Sequence, residues 1–220
     1  MKVYEIPQKK KKINFDFSLT VWLIIFTTIF SIIFFVIPDE FVNKFIALDP
    51  FYILKLTSLW TFITSIFAHA GIFHLLINMF SLFFVGRLVE KLLGRKRYFW
   101  FYLISGIFAG LTFVIFYLLS GDFGINAPAV GASGALFGLI GLLIILTPNL
   151  RVYMMFIPIP IKMKYAAPGL LILLWVISIV GKVNIGNTAH LGGLIMGLLY
   201  GFYLRKKYPN KTKYISRHFN

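Results

Sequence analysis

The chain reads as an all-α membrane protein, a six-transmembrane-helix bundle with a short central fourth helix and both termini cytoplasmic. Three observations lead there. Hydrophobic residues make up 59% of the 220 positions and charged residues only 13%, too apolar for a soluble chain whose surface needs polar cover. Six runs approach the roughly 20 mostly apolar residues that cross a bilayer: 18–37, 73–90, 98–119, 131–147, 166–181 and 187–204. The 22 Lys and Arg residues, finally, sort by side. With the N-terminus placed in the cytoplasm, nineteen fall inside, and only Lys44, Lys55 and Lys182 fall outside. That asymmetry is the positive-inside pattern.

Each element has its own justification. Residues 1–17 form a basic cytoplasmic tail. The run Lys9–Lys12 imitates the start of a secretory signal, but the apolar stretch after it is too long. No small-residue cleavage site follows, since the chain continues Ile37-Pro38-Asp39-Glu40, so the first span is read as retained. Between the first two spans, 41–67 carries Phe41, Phe45, Phe51, Tyr52 and Trp60 among modest charge, compatible with a segment lying in the interface. The core is expected over 18–204, with a second basic tail over 205–220 and no separate soluble domain. Cysteine is absent, which excludes disulfides, thiol nucleophiles and cysteine-zinc sites. The net charge of +15 suggests nucleic acid at first. Its residues flank spans, however, where they meet anionic lipid.

This topology runs the second, fourth and sixth spans from outside to inside. His74 and Asn78 open the second, Ser133 the fourth and His190 the sixth. Four polar groups from three helices therefore fall at similar depth on the same side. From Ser133 to Thr147 the helix covers about 22 Å at 1.5 Å per residue, against roughly 30 Å of hydrocarbon. Ser133 is expected about 8 Å below the outer boundary. The loop 121–130 must then dip into the membrane and line a hydrated pocket.

Gly134 and Gly138 in the fourth span, and Gly193, Gly197 and Gly201 in the sixth, form small-residue faces at four-residue spacing. Such faces let backbones approach closely, though one G-x-x-x-G is also ordinary span packing. Close approach would bring His190 to the Ser133 hydroxyl, as a general base requires. None of the seven acidic residues lies in the fourth to sixth spans, so a Ser-His dyad is favoured over a triad. Phe137, one turn after Ser133, is placed to stack on the imidazole. His74 and Asn78, four apart, share a helix face. With the Ser133 N–H they are candidates to hold an oxyanion, or simply to join two helices. His69 is read as a loop anchor.

These residues resemble the rhomboid family of intramembrane serine proteases. The signatures are His74-x-x-x-Asn78, Gly131-Ala132-Ser133-Gly134 and Ala189-His190-x-x-Gly193, in family order from about Trp60 to Gly201. The likeness also takes in His69, Glu90 and Asn187. It implies hydrolysis of peptide bonds in or near transmembrane segments of single-span or multi-span membrane proteins, with Ser133 as nucleophile and His190 as base. It implies no metal, no cofactor and no nucleic-acid partner. The minimal six-span form it resembles implies a bacterial cell membrane, with the site open to the extracytoplasmic side. Two positions depart from the pattern: Phe137 stands where some relatives carry tyrosine, and Trp60-Thr61 where they carry a Trp-Arg pair. The fifth span, with Pro168, Gly169 and Trp175, is a candidate movable wall. Two other classes stay open: an inactive rhomboid-like protein that binds membrane segments, and a small transporter, which more often shows inverted repeats.

Overall fold

The computed structural model describes residues 17–120, 128–154, 157–182 and 185–219. The basic run Lys9–Lys12 and positions 121–127 of the expected dipping loop lie outside them. Helix α1 (Leu19–Phe34) starts at Ser18, whose hydroxyl accepts the Val21 N–H. The next segment is folded rather than extended, with three short helices: α2 (Asp39–Phe45), α3 (Pro50–Leu54) and α4 (Thr61–Thr64). Asp49 caps α3 by accepting the Phe51 N–H at 2.8 Å, with Pro50 at the first turn where its missing N–H costs nothing. Side chains close this segment on itself. Ser58 Oγ donates to the Lys44 carbonyl, Trp60 Nε1 to Phe45 and Thr64 Oγ1 to Ile46, each at 2.8 Å. Thr61 is buried and donates to the Ser58 carbonyl at 2.6 Å.

α5 (Ile72–Ser81) and α6 (Arg87–Leu93) are joined by a π-helical turn at Leu82–Gly86, giving one run, Ile72–Leu93. α7 (Arg95–Ser120) and α8 (Ser133–Leu146) follow. α9 (Met163–Gly181) contains Pro168, and α10 (Asn187–Lys207) hands over at Tyr208 to α11 (Pro209–His218). By length and composition Ile72–Leu93, Arg95–Ser120 and Met163–Gly181 can cross a membrane, while Leu19–Phe34 and Ser133–Leu146 are apolar but shorter. α10 is long enough, but Asn187, His190 and its glycines dilute its apolar character. Large apolar side chains such as Phe73 (70% exposed) and Ile179 (74%) face outward. Water would not tolerate that outer surface, and lipid covers it.

Two features differ from the expectations, the hairpin and the C-terminal tail, and the start of α8 agrees with them. The all-α reading omits an antiparallel hairpin, β1 (Arg151–Met154) with β2 (Ile157–Lys162), pairing Arg151 with Lys162 and Val152 with Ile161. Alternating prolines in Ile157-Pro158-Ile159-Pro160-Ile161 suit a two-stranded ribbon, where both strands are edges and half the N–H groups need no partner. α8 begins at Ser133, where the sequence places the start of the short central helix, and Gly131, with φ +124°, lies outside helical space. The 205–220 tail is not a loose appendage. Arg205–Lys207 extend α10, and α11 packs back against α8 and α10.

The core is built around α8, which is buried on every side among α7, α9 and α10, as expected of a helix apolar all round. α8 and α10 meet backbone to backbone. A Cβ at Gly193 would overlap the Gly134 carbonyl oxygen, and one at Gly197 would overlap that of Gly138 and lie 2.8 Å from Gly141 Cα. Gly169 on α9, by contrast, faces open space. Two Gly→Ala substitutions, one in α10 and one in α9, should thus differ in sign. Gly197→Ala should destabilise by about 1–3 kcal/mol through overpacking, while Gly169→Ala should be neutral or stabilise by up to about 1 kcal/mol. Thermal unfolding of both variants in one detergent checks the contrast.

Candidate active site

Ser133 is the first residue of α8, so its N–H and those of the next residues lack carbonyl partners in the helix. The approach to it is held from three sides. Leu48 and Ala129 exchange both backbone hydrogen bonds at 2.9 Å, and the Gly131 N–H donates to the Ser65 carbonyl at 2.8 Å. The Ala132 N–H points at His69 Nε2 at 3.4 Å. The third hold fixes hydrogens as well. Ser31 Oγ donates to the Phe67 carbonyl at 2.9 Å and lies 3.0 Å from His69 Nδ1. Ser31 has one hydrogen, already given to Phe67, so His69 Nδ1–H donates to Ser31 and Nε2 is left to accept from Ala132. One neutral tautomer satisfies every partner in this chain from α1 to the start of α8.

His190, in the first turn of α10, brings Nε2 to 2.8 Å from Ser133 Oγ. It is buried, whereas Ser133 is partly exposed. The Phe137 ring stacks on the imidazole, with centroids 4.7 Å apart and planes 23° from parallel. With Ser133 donating to Nε2, the imidazole hydrogen sits on Nδ1, which has no hydrogen-bond partner among the described residues. Among the described residues no carboxylate pairs with it. Asn187 lies one turn earlier, its N–H donating to the Ile185 carbonyl at 2.6 Å and its Oδ1 buried without a partner.

Gly131 separates His74 from Ser133. The point where a Cβ would stand on Gly131 is 2.9 Å from His74 Nε2 and 3.8 Å from Ser133 Oγ. The lack of a side chain there leaves a small gap bounded by both groups. Asn78 is buried, and its amide nitrogen donates one hydrogen to the His74 carbonyl at 2.9 Å, which leaves the other free. Gly134 and Gly193 are packed face to face just beyond the pair, with Gly197 a turn further. Glu90 is far from this cluster. Its carboxylate accepts the Leu19 and Thr20 N–H groups at 2.8 and 2.9 Å and the Thr20 hydroxyl at 2.6 Å, with Arg95 Nε 3.7 Å away. It caps α1, where a negative charge also meets the positive end of the helix dipole. No group of three or more metal-ligating side chains occurs among the described residues.

Sequence reasoning passed over Ser31, Ser65 and Ala129. Two of them act through backbone groups, which no residue type announces. Ser31 offered one signal: a serine inside an otherwise apolar span.

A serine at a helix start, a buried imidazole against it and a polar gap beside both sit within the part of the chain that matches known proteins. Residues 56–207 match the model of the Rhomboid domain, and the chain belongs to the rhomboid family. It is similar to RHOMBOID-like protein 1 of Arabidopsis thaliana, 40% identical over 73% of this chain and 38% of that protein. It is also similar to Rhomboid protein 1, mitochondrial, of Saccharomyces cerevisiae (33%, over 76% of this chain and 47% of that one). Rhomboid protease GluP of Bacillus subtilis is 33% identical over 63% of this chain and 24% of its own length. The chain thus spans less than half the length of these relatives. They come from a plant, a yeast and a bacterium, so the likeness is to the family and does not single out a bacterial branch.

Removing the Ser31 hydroxyl leaves the His69 Nδ1–H without its acceptor in a buried place. Ser31→Ala should cost about 1–3 kcal/mol, read by thermal unfolding, while Thr57→Ala, whose exposed hydroxyl meets the Tyr52 carbonyl at 3.2 Å, should cost much less.

Proposed function

We propose that this protein is an intramembrane serine endopeptidase that hydrolyses peptide bonds in or near the transmembrane segments of membrane proteins, with Ser133 and His190 as its dyad. The observation that carries this is the 2.8 Å contact between a partly exposed serine hydroxyl and a buried, stacked imidazole. On this reading α1, the run Ile72–Leu93, α7, α8, α9 and α10 are the six spans. Residues 18–204 form the protease core between basic cytoplasmic tails, and Ser133 opens to the extracytoplasmic side. The nineteen-to-three distribution of Lys and Arg supports that orientation.

Chemically, Ser133 Oγ adds to the scissile carbonyl carbon as its proton passes to His190 Nε2. The resulting imidazolium then gives that proton to the leaving amine, and water repeats the cycle on the acyl-enzyme. With no carboxylate at Nδ1 among the described residues, ring packing against Phe137 takes over the orienting part that an acid plays in a triad. The tetrahedral oxyanion would lie in the gap above Gly131, within reach of the Ser133 N–H, His74 and the free Asn78 amide hydrogen. His69, Gly131, Gly134, Gly193, Gly197 and Asn187 position these groups, and the chemistry needs no cofactor.

A second reading has one specific point in its favour: Inactive RHOMBOID-like protein 8 of Arabidopsis thaliana is 34% identical over 62% of this chain and 36% of its own length. Cleavage of a model single-span substrate in liposomes separates the two. Wild type should cut it, and Ser133→Ala and His190→Ala should each lose at least about 1,000-fold in rate. Gly131→Ala, which fills the gap, should fall about 100- to 1,000-fold. No cleavage by wild type of any span tested, or undiminished cleavage by Ser133→Ala, would remove the protease reading.

A further inference from the structure

The end of α8 opposite Ser133 carries a cluster that the dyad does not use. There α11 folds back from Tyr208 onto the ends of α8 and α10, and an apolar cavity of about 190 Å³ opens beneath it. Leu92, Leu146, Leu204 and Ile215 contribute apolar wall, while Arg97 from the start of α7 and Lys211 from α11 border the same space. Both cationic side chains are exposed. Arg97 lies 5.9 Å from the centre of the Tyr208 ring, which steadies the guanidinium at the cavity.

Charge decides what fits. Among the described residues no carboxylate pairs with Arg97 or Lys211. Among the described residues Glu90 is the acidic residue of this end, and its oxygens are engaged by Leu19, Thr20 and Arg95. Arg205, Lys206 and Lys207 at the end of α10 add to the positive field. The occupant must therefore bring a negative group and hydrocarbon together. The chain's own N-terminal run Lys9–Lys12 has the wrong sign. The cavity also lies where α7 begins and α8 and α10 end, the level at which acyl chains meet headgroups. We infer that it is a binding site for one anionic phospholipid, with the phosphate between Arg97 and Lys211 and an acyl chain along the leucine wall. Arg presents a fork that matches phosphate oxygens, and basic pockets between span ends are suited to acidic headgroups.

The test is native mass spectrometry of the full chain in a neutral detergent, titrated with dioleoyl phosphatidylglycerol or dioleoyl phosphatidylcholine. Wild type should retain one phosphatidylglycerol about 30-fold more tightly than phosphatidylcholine, two cations each contributing roughly a factor of five. Arg97→Gln/Lys211→Gln should lose that preference. Ile215→Trp, which fills the cavity without touching a charge, should lower retention of both lipids, and thermal unfolding checks that each variant is folded. Glycerol phosphate, which has no tails, should not displace the lipid. Equal retention of the two lipids by wild type, undiminished preference in the folded double variant, or displacement by glycerol phosphate would each overturn the site.

Discussion

The carbonyl oxygens of Gly134 and Gly138 stand where side chains at 193 and 197 would have to be, and the rest of the site depends on this approach of α8 to α10. Ser133 and His190 each open one of these helices. Neither side chain is long, so a contact of 2.8 Å requires the two backbones to be nearly touching one turn further in. Ser105 and Thr112 on α7 press on Gly138 and Gly192 from the side. A larger residue at any of these glycines would change the separation of serine and histidine before it changed the fold. In hydrocarbon no hydrophobic force drives helices together, so van der Waals contact of this kind does the holding.

Polar groups within the bundle are few, and the structure places them at joints. Glu90 ties the start of α1 to α6, and the Ser31–His69–Ala132 chain ties the far half of α1 to the start of α8. The first helix is thus pinned at two depths by bonds that are costly to leave unmade away from water. Not all of them are paired: Thr27, Tyr98, Tyr102, Ser105 and Asn187 each bury an oxygen without a partner among the described residues, and His190 belongs with them. Its Nδ1 has no partner among the described residues, so the imidazole is held by the Phe137 face instead. A ring held by Ser133 on one edge and by stacking on its face can take up and release a proton without breaking a hydrogen bond on its far side.

Residue type and spacing made the apolar helices and the candidate site residues legible. Ser133 and His190 stood out as polar residues opening apolar runs, the glycines by their interval, and Phe137 by its place one turn on. What could not be read depends on backbone rather than side chains. The anchors of the Ser133 approach are carbonyls and N–H groups of Leu48, Ser65 and Ala129. The π turn at Leu82–Gly86 leaves the apolar pattern unchanged. The hairpin at 151–162 hides in a stretch whose prolines read as a plain connection, and α11 in a tail whose charge masked its apolar side, Ile215 included. His69 was legible as an anchor, but its partner Ser31 lies 38 residues away, a distance no local pattern bridges.

The central claim is that the glycine-mediated approach of α8 and α10 makes Ser133 nucleophilic through His190. Labelling by a fluorophosphonate in membranes, with the modified residue mapped by mass spectrometry, addresses it directly. The account predicts modification at Ser133 alone among the serines, abolished in His190→Ala and strongly slowed in Gly197→Val, which lies away from both reacting groups. Labelling of Ser133 that survives unchanged in His190→Ala, or a wild-type protein that takes no label there, would contradict it.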